Sequence, residues 1–142
     1  MSPLTGGCHC GSIAVEVALS GAANSYAPRA CDCDFCRKHG AAYVSDPRGS
    51  LLLQVRESDH LGHYRQGSGS AEMLVCRHCG VLLGALYREP QSLLAAVNVR
   101  VLEAGADFAA PHPVSPQTLT AAQKLQRWRE LWFADVRIRT ER

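Results

Sequence analysis

Apolar and polar residues alternate in short runs over the first two-thirds of the chain, as expected for β-strands that bury one face. The clearest run is Ile-Ala-Val-Glu-Val-Ala-Leu at residues 13–19, which is rich in β-branched residues. Turn residues such as Asp46-Pro47-Arg48-Gly49 separate the runs. Short strands at this regular spacing predict a mainly β fold built from antiparallel sheets. Further runs lie at residues 42–44, 51–55, 63–65, 72–75, 81–87 and 93–102.

One long segment near the C-terminus has helical periodicity. Thr120 and Gln123 have the spacing of a capping box, and Leu125, Trp128 and Trp132 then recur at helical intervals. We expect this apolar stripe to pack against the sheet. A dimer contact and a wall of a substrate pocket are the alternatives.

The length of 142 residues suits a single domain. Its core is predicted at about residues 6–103, with a proline-containing connector and the helix at 104–142.

Composition and charge exclude several classes of partner. The chain is 46% apolar and its mean hydropathy is −0.10, as in ordinary globular proteins. A net charge of +2 is too small to indicate nucleic acid. The basic residues from Lys124 onwards are explained by a solvated helix face.

No apolar stretch approaches the roughly 18 residues of a membrane span, and the N-terminus lacks the pattern of a secretion signal. We therefore expect a cytoplasmic protein without a nucleic-acid or membrane partner.

Seven cysteines in a reducing compartment need an explanation other than disulfides. Zinc prefers four ligands at tetrahedral angles, and cysteines one or two residues apart can reach one ion from a single turn. A glycine, Gly11 or Gly80, follows two of the groups and can take the positive φ that such a turn requires. The spacing predicts metal binding by three groups: Cys8 and Cys10; Cys31, Cys33 and Cys36; Cys76 and Cys79.

The number of cysteines favours one closed site and one open site. Cys8, Cys10, Cys76 and Cys79 would saturate a structural ion, which leaves Cys31, Cys33 and Cys36 with an exchangeable fourth position. A zinc ribbon made of Cys33, Cys36, Cys76 and Cys79 is the competing division. His39 lies three residues after Cys36 and could close the second site. His9 and His78 are predicted to lie outside the ligand sets.

Three linked motifs carry a resemblance to a known family. Gly6-Gly7-Cys8-His9-Cys10-Gly11-Ser12-Ile13, Cys31-Asp-Cys33-Asp-Phe-Cys36-Arg37-Lys38 and Cys76-Arg-His-Cys79-Gly80 occur in this order. They resemble the glutathione-dependent formaldehyde-activating family, which includes centromere protein V, over about residues 6–103. The resemblance implies a β-tent fold with two zinc ions, one structural at Cys8, Cys10, Cys76 and Cys79 and one catalytic at Cys31, Cys33 and Cys36. It also implies a carbon–sulfur lyase that forms S-(hydroxymethyl)glutathione from formaldehyde and glutathione.

The open site suits this chemistry because a zinc-held thiol is deprotonated and nucleophilic. We expect a small thiol, such as glutathione, and an aldehyde as substrates, with Arg37 and Lys38 binding a carboxylate of the thiol. Solvent-exposed charges on a short helix are the alternative for these two residues. A non-catalytic zinc-stabilised protein-binding module and a thiolate-based zinc or redox sensor are the alternative functions. A homodimer is possible.

Overall fold

The computed structural model describes residues 3–103 and 107–141. Short strands dominate them, and the helix predicted near the C-terminus is present, so the predicted mainly β fold with a C-terminal helix is confirmed. In chain order the elements are β1 (Leu4–Gly7), β2 (Ile13–Ala18), β3 (Arg29–Cys31), α1 (Asp34–His39), β4 (Tyr43–Val44), β5 (Ser50–Val55), β6 (Leu61–Arg65), β7 (Glu72–Cys76), β8 (Leu82–Glu89), β9 (Ser92–Asn98), β10 (His112–Val114), α2 (Ala121–Leu131) and β11 (Asp135–Thr140).

The described strands form two sheets. One has the order β1-β2-β5-β11, and the other has the order β10-β3-β4-β9-β8-β7-β6. All strand pairs among β1 to β9 are antiparallel, as predicted. The prediction is wrong for β10 on β3 and for β11 on β5, which are parallel pairs. Both strands return to their sheets after long connections, and a connection of that length permits a parallel crossover.

The hydrophobic core lies between the two sheets. Alternate residues of β2, including Ile13 and Val17, face Val97 and other residues of the seven-stranded sheet. Phe133 is completely buried in this layer and pairs with Ala95 of β9 in an isolated bridge. The opposite face of the seven-stranded sheet is covered by α2, whose Trp128 packs there. The expected packing of the apolar stripe against a sheet is thus confirmed.

The C-terminal segment departs from the prediction after the helix. The capping box is present: the Thr120 hydroxyl accepts a hydrogen bond from the Gln123 backbone, and Gln123 accepts one from the Thr120 backbone. However, α2 ends at Leu131, and β11 occupies the segment expected to be a solvated helix face. Val136 and Ile138 alternate with charged residues in Asp-Val-Arg-Ile-Arg-Thr and pack on the core. This two-residue period is the pattern of a strand.

Other boundaries also differ. The strand expected at residues 93–102 ends at Asn98, because the Asn98 side chain accepts a hydrogen bond from the Arg100 backbone and begins a 3-10 helix at Val99–Val101. The predicted connector contains β10, and its residues 104–106 lie outside the described residues. No helix in the described part of the chain combines the length and the apolarity needed to cross a bilayer.

Candidate metal centres

Four cysteines from distant parts of the chain converge at one end of the sheets. Cys8 and Cys10 follow β1, and Cys76 and Cys79 lie at the end of β7. The Sγ of Cys10 lies 3.7 Å from the Sγ of Cys8 and 3.7 Å from that of Cys76. Zinc–sulfur bonds of about 2.3 Å at tetrahedral angles place sulfurs about 3.8 Å apart. The four thiols therefore fit a tetrahedral zinc ion, and all four lie within 4.8 Å of one another.

Backbone N–H groups are aimed at two of these sulfurs, although burial raises the pKa of Cys76 to about 12. Gly11 and Gly80 have φ of 84° and 86°, as the turn prediction required. These turns allow the Ile13 N–H to donate to Cys8 Sγ at 3.3 Å and the Cys79 N–H to Cys76 Sγ at 3.4 Å. Hydrogen bonds between Cys10 and the Ser12 hydroxyl and backbone, with a smaller contribution from His78, lower the pKa of Cys10 to about 5. Donors aimed at sulfur stabilise the charged ligands that a metal requires.

The remaining three cysteines form a second cluster. Cys31 ends β3, Cys33 is the N-cap of α1, and Cys36 lies in the first turns of that helix. The Cys36 N–H donates to Cys33 Sγ at 3.4 Å, the same contact as in the Cys76–Cys79 turn. The three sulfurs lie within 4.8 Å of one another. The structure thus groups the cysteines as their number predicted, and Cys33 and Cys36 are not joined to Cys76 and Cys79.

Cys31 and Cys36 constrain each other's protonation. A hydrogen bond from Cys36 lowers the pKa of Cys31 to about 6, and the same contact together with burial raises the pKa of Cys36. Without a cation, the cluster therefore favours mixed protonation. A bound divalent cation would stabilise three thiolates at once, so the donor set fits zinc. We name this cluster of Cys31, Cys33 and Cys36 the cysteine triad.

The triad is a cluster of three cysteines in the described part of the chain. No further His, Cys, Asp or Glu atom from residues 3–103 or 107–141 joins its three sulfurs within 4.8 Å. His39 instead packs its ring against Phe35, with centroids 4.6 Å apart, and lines a groove with Tyr64. His9 and His78 belong to neither cysteine cluster.

The two cations assigned to the thiol carboxylate lie on the exposed side of α1. Arg37 donates to Asp34 at 2.6 Å, and both side chains are largely exposed. Neither Arg37 nor Lys38 is among the residues that line the cavity described next. Their assignment stays a prediction.

All three cysteines of the triad line a cavity of about 290 Å³. It lies between the seven-stranded sheet and α2. Its apolar wall includes Trp128 and Trp132, which stack with ring centroids 4.7 Å apart and are each 6% exposed. The Tyr43 hydroxyl lies 3.1 Å from Cys36 Sγ in the same cavity. Such a site can take a small molecule next to the sulfurs while limiting its contact with water.

A family comparison settles the broad identity of the chain. The model of the family described as glutathione-dependent formaldehyde-activating enzyme matches residues 3–120. The chain belongs to this family. A crystal structure of a Rhodobacter sphaeroides protein, a structural-genomics target, is similar to this formaldehyde-activating family member at 33% identity and a TM-score of 0.55. The match covers 70% of this chain and 88% of that one.

This family member carries cavity residues that the sequence reasoning missed. Arg29, Lys124 and Arg127 line the cavity with the triad. Burial and, secondarily, the positive charge of Arg127 lower the pKa of Arg29 to about 10, which leaves Arg29 protonated at neutral pH. Arg29 precedes Cys31 by two positions on β3, and strand alternation places both on one face, so this signal was available. Lys124 and Arg127 lie on α2, beyond the family match.

Proposed function

We propose that the chain is a carbon–sulfur lyase of the formaldehyde-activating type, which adds a small thiol such as glutathione to an aldehyde or catalyses the reverse reaction. The observation that carries this proposal is the position of the triad. Its three cysteines line a cavity, and no fourth His, Cys, Asp or Glu of the described residues joins their cluster. Three protein ligands with an exchangeable position are typical of catalytic zinc, whereas four are typical of structural zinc.

Zinc is the cofactor we propose for both clusters. Cys8, Cys10, Cys76 and Cys79 would hold a structural ion, and Cys31, Cys33 and Cys36 would hold a catalytic one. When bound at the triad, zinc would supply a fixed positive charge that favours the thiolate form of a bound thiol and polarises a carbonyl oxygen.

The chain's own residues would position the two substrates. The substrate sulfur attacks the carbonyl carbon, a carbon–sulfur bond forms, and the carbonyl π pair moves to oxygen. That oxygen takes up the proton that the thiol released, which gives the S-hydroxyalkyl adduct. The stacked Trp128 and Trp132 would exclude water and hold the carbon chain of the thiol. Alignment of this kind would contribute more than polarisation, because three anionic thiolates would weaken the Lewis acidity of a bound zinc ion.

The burial of the tryptophans argues against the alternative of a protein-binding module. An interaction surface would use exposed aromatic residues, whereas Trp128 and Trp132 are buried. All seven cysteines are free thiols, which suits the proposed reducing cytoplasm. The single-domain organisation and the possible homodimer stay predictions.

An exchange experiment tests the proposed activity. Glutathione and ¹³C-labelled formaldehyde form an adduct spontaneously, so the rate of exchange between free and adduct carbon is measured by NMR with and without the zinc-loaded protein. We expect faster exchange with the wild-type protein and the spontaneous rate with Cys33→Ser. An Arg129→Gln variant, altered on the outer face of α2, serves as the control and should match the wild type. A spontaneous rate with wild-type protein that holds zinc at the triad would contradict the proposal.

A further inference from the structure

Three cations line the cavity without a carboxylate partner. None of the ion pairs found in residues 3–103 and 107–141 includes Arg29, Lys124 or Arg127. The neighbouring Arg129 on the same helix is paired with Glu89 at 3.0 Å. Partly buried guanidinium groups that share one cavity without an anion are unfavourable, so the cavity favours a negatively charged ligand.

The acidic groups nearest this site have other partners. Asp34 lines the cavity but accepts from Arg37 at 2.6 Å. Asp32, on the connection between β3 and α1, accepts hydrogen bonds from Ser115 and Gln117. The triad itself would carry one net negative charge with a divalent zinc ion bound, which balances one of the three cations. Two positive charges would then remain for a ligand.

Arg29 is held in place rather than free to turn towards solvent. Its Nη2 donates to the Ser45 hydroxyl at 2.6 Å, and that hydroxyl donates to the Leu131 carbonyl oxygen at 2.7 Å. This chain of hydrogen bonds ties β3 to the end of α2. The hydrogen bond to Ser45 occupies Nη2 of Arg29 and fixes the direction of the guanidinium group. Carboxylate recognition requires donors that are preorganised in this way.

We propose that Arg29 and Arg127 form a carboxylate-binding subsite, with Lys124 beside them on α2, so that the cavity selects a small thiol that carries a carboxylate over an uncharged thiol. Binding of the ligand's thiol at the triad rests on the proposed function, whereas binding of its carboxylate at Arg29 and Arg127 does not. The subsite joins one residue inside the family match to two residues beyond it. A cavity of about 290 Å³ suits a compact ligand.

Both tryptophans of the chain line the cavity, so intrinsic fluorescence reports on this site. The zinc-loaded protein is titrated with 3-mercaptopropionate and with its neutral amide, 3-mercaptopropanamide. We expect the wild type to bind the acid at least about 10-fold more tightly than the amide, since charge-assisted pairs are strong. Arg127→Gln should reduce this ratio to below about 3-fold without changing the affinity for the amide. Arg129→Gln, on the same helix, should keep the full ratio.

A second variant tests the half-buried Arg29, because Arg29→Gln is at risk of misfolding. Arg29→Lys keeps the charge but loses the two-pronged donor, and it should lower the affinity for the acid alone. Equal binding of acid and amide by the wild type would overturn the subsite and leave the thiol function standing. The subsite would also be wrong if an Arg37→Gln, Lys38→Gln double variant no longer preferred the acid over the amide while Arg127→Gln kept the full ratio.

A sulfur-free probe separates the subsite from the proposed function. Butanoate should bind weakly to the wild type, and Arg127→Gln should abolish that binding. If butanoate binds as tightly as 3-mercaptopropionate and depends on Arg127, the subsite stands and the proposed thiol binding fails. If butanoate binding does not depend on Arg127, the subsite is wrong.

Discussion

The hydroxyl of Tyr43 lies 3.1 Å from the Sγ of Cys36, and both side chains are buried. Burial and the neighbouring Cys36 raise the pKa of Tyr43, so the phenol keeps its proton and can donate it to the sulfur. Tyr43 lies on β4 and Cys36 on α1, so the sheet supports a ligand carried by a short helix. Outer contacts of this kind orient metal ligands and tune the affinity for the metal.

Tyr43→Phe should therefore weaken zinc binding at the triad while leaving the fold intact. We expect a loss of about 10-fold in affinity, as is typical for removing an outer hydrogen bond to a ligand. Competition with a zinc chelator measures it. Tyr87→Phe is the matched control, since its ring packs against Trp128. Unchanged zinc affinity in Tyr43→Phe would show that the contact does not support the ligand.

The two cysteine clusters should respond differently to mutation. Cys79→Ser should unfold or aggregate the protein, because the energy of a structural metal contributes directly to folding. Cys33→Ser should leave a folded protein that holds one zinc ion fewer. Thermal unfolding and elemental analysis of both variants test this. Equal destabilisation by the two substitutions would mean that the roles are assigned wrongly.

The sequence could predict the cysteine groups because metal spacing is local within each motif. Cys8–Cys10 and Cys76–Cys79 each fit one turn, and the glycine that follows each pair, Gly11 or Gly80, indicates that turn. The four-plus-three division then followed from the coordination number of zinc. Arg127 could not be predicted as a cavity residue in this way. Its position depends on how α2 crosses the sheet, which no local pattern specifies.

The strand β11 shows a second kind of limit. Apolar and charged residues alternate in Asp135–Thr140, as in a strand. The helical period of Leu125, Trp128 and Trp132 before it nevertheless favoured one continuous helix. The helix in fact ends at Leu131, where Phe133 enters the core and pairs with Ala95. Burial of one aromatic side chain outweighed local periodicity, which is a tertiary effect.

Phe133 should consequently be important for stability although it lies beyond the family match. It is completely buried between the sheets, so Phe133→Ala should lower the free energy of unfolding by about 3–5 kcal/mol. Urea denaturation of the zinc-loaded protein measures this loss. Tyr64→Ala, at a site that is 54% exposed, should cost less than about 1 kcal/mol. Similar losses in both variants would show that the C-terminal segment does not complete the core.

Asp46 should make the free energy of unfolding depend on pH in the acidic range. Burial alone would raise its pKa, but hydrogen bonds from Ser20, from the Tyr26 hydroxyl and from the Arg48 backbone outweigh that effect and lower the pKa to about 2. A carboxylate with a depressed pKa stabilises the fold above its unfolded pKa, and this stability is lost as the pH falls towards 2. Asp46→Asn should therefore cost about 1–2 kcal/mol at pH 7.

The difference between the wild type and Asp46→Asn should shrink as the pH falls from about 5 to 2. Both proteins lose their thiolate ligands equally in acid, so the difference isolates Asp46. Denaturant titrations across this range measure it, with the exposed Asp135→Asn as the control. A difference that stays constant with pH would contradict the lowered pKa.

We propose above all that the triad is an open metal site beside a closed one. The most direct test of this claim is a crystal structure of the zinc-loaded protein soaked with 3-mercaptopropionate, with anomalous scattering recorded at the zinc edge. We predict two zinc peaks per chain. One should have Cys8, Cys10, Cys76 and Cys79 as its ligands, and the other should have Cys31, Cys33 and Cys36 with the soaked sulfur or a water molecule in the fourth position. A single peak, or a fourth ligand supplied by His39 or another protein atom, would contradict the claim.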